Sequence, residues 1–364
     1  MSKNKARRKK MKKGQKFLFS FLIIILIIVL AITLGGYLYL GGKLSLIDIK
    51  EKLLGHQVGI DEEVEEMLKG YRNIALLGVD TRSAGDYSED SRSDCIIIAS
   101  INEETGDVKL ISVYRDTYLE VDEHGETVLD KINHAYWYGG AANTLKSLNK
   151  AMDMNITEYV TVDMEAVATA VDALGGVEIN VTSDELTYIN KYIRETAKVT
   201  GKSNEEVTST GKQTLNGVQA VSYGRIRYTT GGDYKRTERM RTVVEAMLKK
   251  AKTLSLFELN DFANTILPLI STNISQGDIL SLATKLSGLK IGTNLGWPYK
   301  TAGKTIDEVW QGIPITLESS VIQLHKDVFG QPHYKVTSTV KNMSDKIIEV
   351  TGYTEETAED ASHY

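Results

Sequence analysis

The chain has 364 residues, 42% of them hydrophobic, which is ample for one large core or two smaller ones, and its formal net charge is −5. Four prolines and no low-complexity run exclude widespread disorder. The single cysteine, Cys95 in the apolar run "CIIIAS", excludes an internal disulfide and reads as a buried small side chain.

Residues 1–16 hold nine Lys or Arg and no acid, leaving 34 basic against 48 acidic residues in the rest of the chain. Residues 17–42, "FLFSFLIIILIIVLAITLGGYLYLGG", are uncharged and exceed the ~20 residues that a membrane-spanning helix needs. The basic segment before them places the N-terminus in the cytoplasm and the chain from about residue 43 outside, as a single-pass protein of the cell membrane. The alternative is a cleaved signal peptide, although the apolar run is long and no small-x-small site closes it. Residues 43–69 read as a short helical stalk.

"YRNIALLGVD" predicts a strand ending at Asp80, and after a polar loop "DCIIIASIN" and "DVKLISVYRD" predict a hairpin joined by "EETGD". "GGAANTLKSLNKAM" and "DMEAVATAVDAL" have helical spacing, the second closed by a glycine pair before the strand "VEINV". The expectation is an α/β fold over 70–255, a central mixed sheet flanked by helices, followed by a C-terminal α+β region over 256–353. In that region "QGDILSLATKLSGL" reads as helix, and "PITLESSVIQL" and "HYKVTSTV" read as strands. Residues 354–364 read as an acidic tail.

"YGRIRYTTGGDYKRTERMR", Tyr223 to Arg241, sets five arginines and a lysine in this acidic background. "VSYGRIRY" predicts a β-type run that projects Arg225 and Arg227 from one face. Asp233 can cap a following helix with Arg236 in its first turn, Arg239 on the same side, and Val243, Val244, Met247 and Leu248 on its buried side. Four such arginines suit an anion with several oxygens, such as a diphosphate, because the guanidinium binds phosphate through a planar fork. The bland alternative is a solvated helix face paired through Glu238, Arg241 and Glu245, but Arg239 has no acid three or four residues away.

Asp80 and Asp94 lie at strand ends, and two carboxylates match what Mg²⁺ takes from a protein, the rest of its shell coming from water and substrate phosphate. Arg92 and Arg115 add cations near the same edges. Either aspartate alone is more often a turn or cap residue, and it is their combination with the arginines that supports a metal and diphosphate site. Six histidines stand without metal-ligand spacing, and nucleophile-elbow, Walker and dinucleotide motifs are absent.

The ordered set "LLGVDTR", "SRSDCIII", "ISVYRDTYLEV", "KINHAYWYGG", "EYVTVDMEAVATAVDALGGVEINV", "GKQTLNGVQAVSYGRIRY" and "DYKRTERMR" resembles the LytR-CpsA-Psr family of Gram-positive cell envelopes over residues 70–250. The resemblance implies a phosphotransferase that moves an anionic glycopolymer, such as teichoic acid or capsule polysaccharide, from a polyprenyl diphosphate carrier to peptidoglycan. By motif matching it implies that Asp80 and Asp94 are Mg²⁺-associated and that Arg92, Arg115, Arg225, Arg227 and Arg236 bind diphosphate, with Asp233 and Arg239 in support. It also implies a tunnel for the polyprenyl chain, with "VATAVDAL" and the Val243–Leu248 face as candidate walls. This chain departs from the family at Tyr114, where proline is common and loop stiffness beside Arg115 changes, and at Met240, where a glutamine amide is lost. Alternatives left open are a non-catalytic protein that binds the lipid or scaffolds polymer machinery, and a regulatory role. Direct nucleic-acid contact is not expected, because the one cytoplasmic basic segment lies beside the bilayer and suits its anionic lipid.

Overall fold

The computed structural model describes residues 48–80, 87, 91–229, 232–251 and 295–357, together with 253–254, 258, 261–262, 265–275, 278 and 290–291. The basic segment at 1–16, the span at 17–42, most of the helix expected at 276–289 and the last residues of the tail lie outside them. No helix among the described residues is long and apolar enough to cross a membrane.

In chain order the strands are β1 (Asp48–Ile49), β2 (Tyr71–Val79), β3 (Ser93–Asn102), β4 (Asp107–Val113), β5 (Tyr118–Glu123), β6 (Glu126–Lys131), β7 (Glu158–Val162), β8 (Val177–Val181), β9 (Gly211–Leu215), β10 (Ile270–Thr272), β11 (Lys290–Ile291), β12 (Leu295–Trp297), β13 (Thr301–Ile306) and β14 (Val309–Pro314). The helices are α1 (Glu62–Met67), α2 (His134–Met152), α3 (Met164–Ala173), α4 (Ser183–Thr200), α5 (Gly217–Arg225), α6 (Gly232–Ala251), α7 (Leu317–Phe329) and α8 (Ser338–Thr351). The main sheet runs β1-β10-β7-β2-β3-β4-β11, with β12 also on β4. β2 is parallel to β7 and antiparallel to β3, so the sheet is mixed, and its helix-covered faces match the expected α/β class.

Alternation along the central strands divides two cores. Ile74, Leu76, Ile97, Ala99 and Ile101 face one side, where α3 to α6 bring Val171, Ile189, Val218 and Val243. Ala75, Leu77, Val79, Ile96 and Ile98 face the other, against Leu145 and Leu148 of α2, Leu324 of α7 and Val340 of α8. Strands buried on both faces become nearly continuous apolar runs, which is why "IALLGV" reads so clearly. Leu145 is fully buried in the second core. Leu145→Ala is expected to lower unfolding free energy by about 2–5 kcal/mol, read from the shift of a urea midpoint.

The elements after residue 256 do not stand apart. β10, β11 and β12 extend the sheet of the preceding residues, and α7 and α8 cover its second face. The strand expected over "PITLESSVIQL" ends at Pro314, and α7 follows, with Thr316 accepting a hydrogen bond from the backbone N–H of Ser319. Leu317, Val321, Leu324 and Val328 form its buried helical stripe. The strand expected over "HYKVTSTV" is a loop leading into α8, capped by Thr337. Residues 48–69 do not form a free stalk: β1 pairs with β10, and Val58, Val64 and Leu68 are buried in the second core.

Candidate functional site

β2 and β3 bring the two aspartates together. Gly78 faces Cys95 and Val79 faces Ser93, so Asp94 is the extra residue of a β-bulge, a device that turns a side chain out of the ladder. The close approach requires glycine at 78, where a Cβ would lie 2.9 Å from that of Cys95. Asp80 follows β2, and its N–H donates to the Arg92 carbonyl at 3.1 Å.

Asp94 is the hub of the cations. Arg115 Nη1 donates to its Oδ1 at 2.7 Å, while Arg227 and Arg236 approach Oδ2 at 3.6 and 3.7 Å. Arg236, only 4% exposed, also donates to the Asp94 carbonyl at 2.6 Å. Arg225 is held from α4, by Thr196 Oγ1 at 2.8 Å and by the Tyr192 ring 5.6 Å from its guanidinium carbon. The strand expected at 221–228 is corrected here. Arg225 is the last residue of α5, a helix opened by a reciprocal cap between Asn216 and Gln219, and Arg227 follows in the extended exit.

Asp80, Asp94, Arg225, Arg227 and Arg236 cluster together in the lining of a cavity of about 540 Å³. Its walls are apolar and include Leu76, Val160, Val167, Ala170, Val221, Val243, Met247 and Ile266. The stretch "VATAVDAL" and the buried face of α6 therefore do line an apolar space. The side chains of Val244 and Leu248, expected on that face, lie outside the described residues, as does that of Asp233, which is the second residue of α6 rather than its cap.

Other expected site residues sit off the cavity. Arg115 meets the site through Asp94 and is also 3.3 Å from Asp116. Arg92 lies 5.2 Å over the Trp137 ring. Arg239 turns inward: its guanidinium meets Glu185 Oε1 at 2.8 Å, the Ile226 carbonyl at 3.1 Å and Thr229 Oγ1 at 2.6 Å. It fixes the chain between α5 and α6 instead of facing the cavity. Glu238 pairs with Lys235 at 2.7 Å. Lys191, Tyr192 and Glu195 line the cavity and are not singled out by the sequence, where they look like an ordinary solvated helix face.

The two carboxylates differ. Burial, then the charge of Asp94, pushes the Asp80 carboxyl up against the opposing pull of Arg225, Arg227 and Arg236. Burial also pushes Asp94 up, but Arg236, Arg115 and Arg227 outweigh it and hold Asp94 below the usual carboxylate range. Burial raises the Cys95 thiol to about 11, which makes it an inert wall. Asp80 and Asp94 are the acids at the mouth that could hold a divalent cation, and among the described residues no group of three His, Cys, Asp or Glu assembles. At the two departures, Met240 lines the cavity beside Gly224, while Tyr114 donates its N–H to the Trp297 carbonyl at 2.9 Å and packs edge-on to Tyr234 at 4.5 Å.

The model of the LytR_cpsA_psr family matches residues 38–315. The polyisoprenyl-teichoic acid–peptidoglycan teichoic acid transferase TagU of Enterococcus faecalis is 32% identical over 213 residues, 58% of this chain and 64% of its own length. The enzyme of the same kind named TagT from Bacillus subtilis is 30% identical over 236 residues, 64% of this chain and 70% of its own. A structure of the B. subtilis protein YwtF (TagT) with bound octaprenyl pyrophosphate lipid superposes with a TM-score of 0.53 at 23% identity. That superposition covers 77% of this chain and 97% of YwtF and speaks to the fold.

Proposed function

The chain belongs to the LytR-CpsA-Psr family, and from that premise we propose that it is a phosphotransferase attaching an anionic glycopolymer to peptidoglycan from a polyprenyl diphosphate carrier. The observation that carries this reading is the apolar cavity that shares its lining with the cluster of Arg225, Arg227 and Arg236 around Asp80 and Asp94. An isoprenoid chain needs the apolar walls, and a diphosphate needs the cations. Relatives named as transferases from polyisoprenyl-teichoic acid to peptidoglycan, and a neighbour solved with octaprenyl pyrophosphate, support the same assignment. Residues 1–16 and 17–42 are the proposed cytoplasmic segment and span, leaving the domain outside the cell.

In the proposed reaction an acceptor hydroxyl attacks the phosphorus on the sugar side. The new P–O bond forms as the bond to the bridging oxygen breaks, polyprenyl phosphate leaves with the electron pair, and the hydroxyl proton passes to a carboxylate of the site. Charge grows on the phosphoryl and leaving oxygens, where Arg225 and Arg236 are already oriented by Thr196 and the Asp94 carbonyl and need little reorganisation. Arg227, more exposed, meets the diphosphate from the mouth. Arg115 holds Asp94 in place through the 2.7 Å bond.

Asp80 and Asp94 suit Mg²⁺, because the charge of Asp94 disfavours that of Asp80 and a divalent cation beside them would relieve that repulsion. Bound there, the ion would neutralise diphosphate charge as a Lewis acid. Incubation with EDTA is expected to reduce transfer to background, and added Mg²⁺ to restore it.

The test is transfer of a labelled saccharide from a synthetic polyprenyl diphosphate to isolated peptidoglycan by the full-length protein in detergent. Label fixed to the wall supports the reading. Tight lipid binding with no transfer would replace it with a lipid-binding role.

A further inference from the structure

The motif "KINHAYWYGG" has no part in the donor site, yet its turn is tied to it. Asn133 accepts a hydrogen bond from the N–H of Ser93, beside Asp94, at 3.4 Å, and donates its own N–H to the Arg115 carbonyl at 3.1 Å. At the end of the motif, Gly139 and Gly140 leave helical geometry, which sets the residues 134–138 turn apart from the long body of α2. On that turn Trp137 is 40% exposed, although a tryptophan normally hides most of its ring. Its ring stacks on Tyr138 at 5.4 Å and 20°, and the Arg92 guanidinium lies 5.2 Å from it. Asp130 anchors the arrangement through His134 Nδ1 at 2.7 Å and the Tyr138 hydroxyl at 2.9 Å. An exposed, rigidly backed indole rimmed by polar groups is what the C–H face and hydroxyl rim of a pyranose require.

The position selects which sugar. Most of the cavity's apolar walls, including Val160, Ala170, Val243 and Met247, belong to one face of the sheet, whereas Ala135 and Tyr136 of the aromatic turn pack into the core on the other. In a phosphoryl transfer the attacking and leaving oxygens lie roughly in line. With the polyprenyl phosphate leaving toward the cavity, the nucleophile approaches from the opposite side, where the turn lies. Resting on the transferase reading, we propose that Trp137, backed by Tyr138 and rimmed by Arg92 and His134, is the subsite for a sugar ring of the incoming acceptor glycan.

The experiment uses the full-length protein in detergent with a soluble disaccharide-peptide repeat of peptidoglycan, and separately with polyprenyl diphosphate carrying no sugar. Titration of the glycan without donor reports on the subsite even where no transfer occurs. Trp137→Ala is expected to weaken glycan binding, and to raise the acceptor KM, at least about tenfold. Trp137→Phe is expected to recover most of the affinity, and lipid binding to stay unchanged in both variants. Wild-type glycan affinity in Trp137→Ala overturns the proposal, as does parallel loss of glycan and lipid. Glycan binding that depends on Trp137 in a protein without transfer activity would refute the transferase reading and uphold the subsite.

Discussion

Alanine at both Arg225 and Arg227 is expected to cut transfer by at least about 10³-fold while the protein stays folded, since it removes the pre-oriented Arg225 donor, of a kind worth ~10²–10³, together with the second cation at Arg227. Neither guanidinium is deeply buried, their side chains being 25% and 44% exposed, so truncation strands no uncompensated charge inside the protein. Arg225→Lys is expected to recover little of the rate, because an ammonium cannot bridge two phosphate oxygens in the plane that Thr196 sets. The check is single-turnover transfer at saturating lipid beside a thermal melt. A double variant that transfers at the wild-type rate would remove the diphosphate from this cluster.

Arg239→Ala is expected to behave differently, costing about 3–5 kcal/mol of stability because it leaves Glu185 charged and buried without its partner. Arg239 and Glu185 are 6% and 7% exposed, so solvent cannot compensate either. Burial pushes the Glu185 carboxyl up, but hydrogen bonds from Thr182 and Arg239 more than offset that and set it below its ordinary value of 4.5. A depressed folded-state carboxyl stabilises above the unfolded value and loses that contribution as pH falls through the folded one. The stability gap between wild type and Glu185→Gln is therefore expected to be full at neutral pH and to close below about pH 4.5. Urea midpoints measured from pH 7 to pH 3 test this, and a pH-independent gap would contradict it.

The contrast between these arginines shows what a sequence can carry. Arg239 lacks an acid on its own helix, a local sign that its partner comes from elsewhere, but that the partner is Glu185, 54 residues away, is settled only by folding α4 against α6. The aspartates are legible because apolar strands end beside them. The bulge that turns Asp94 toward three arginines is not, because a bulge exists only relative to the partner strand. "VSYGRIRY" mixes β-branched and aromatic residues in a strand-like way, yet the Asn216 and Gln219 cap just upstream marks a helix and was the better local signal. At "PITLESSVIQL" a strand and a capped helix abut without a glycine to separate them, so composition averages over both. The central hairpin and the helices at 164–173 and 232–251 are clear because burial, period and turn residues agree there.

The identity of the leaving lipid is the most direct measurement of the central claim, that the chain transfers a phosphoryl-linked polymer. Full-length protein, Mg²⁺, donor and peptidoglycan would be combined and the released lipid identified by mass spectrometry. Polyprenyl monophosphate formed in step with polymer attachment is the expected result, because attack at the sugar-side phosphorus leaves one phosphate on each product. Release of polyprenyl diphosphate would place the cleavage at the sugar carbon and contradict the account.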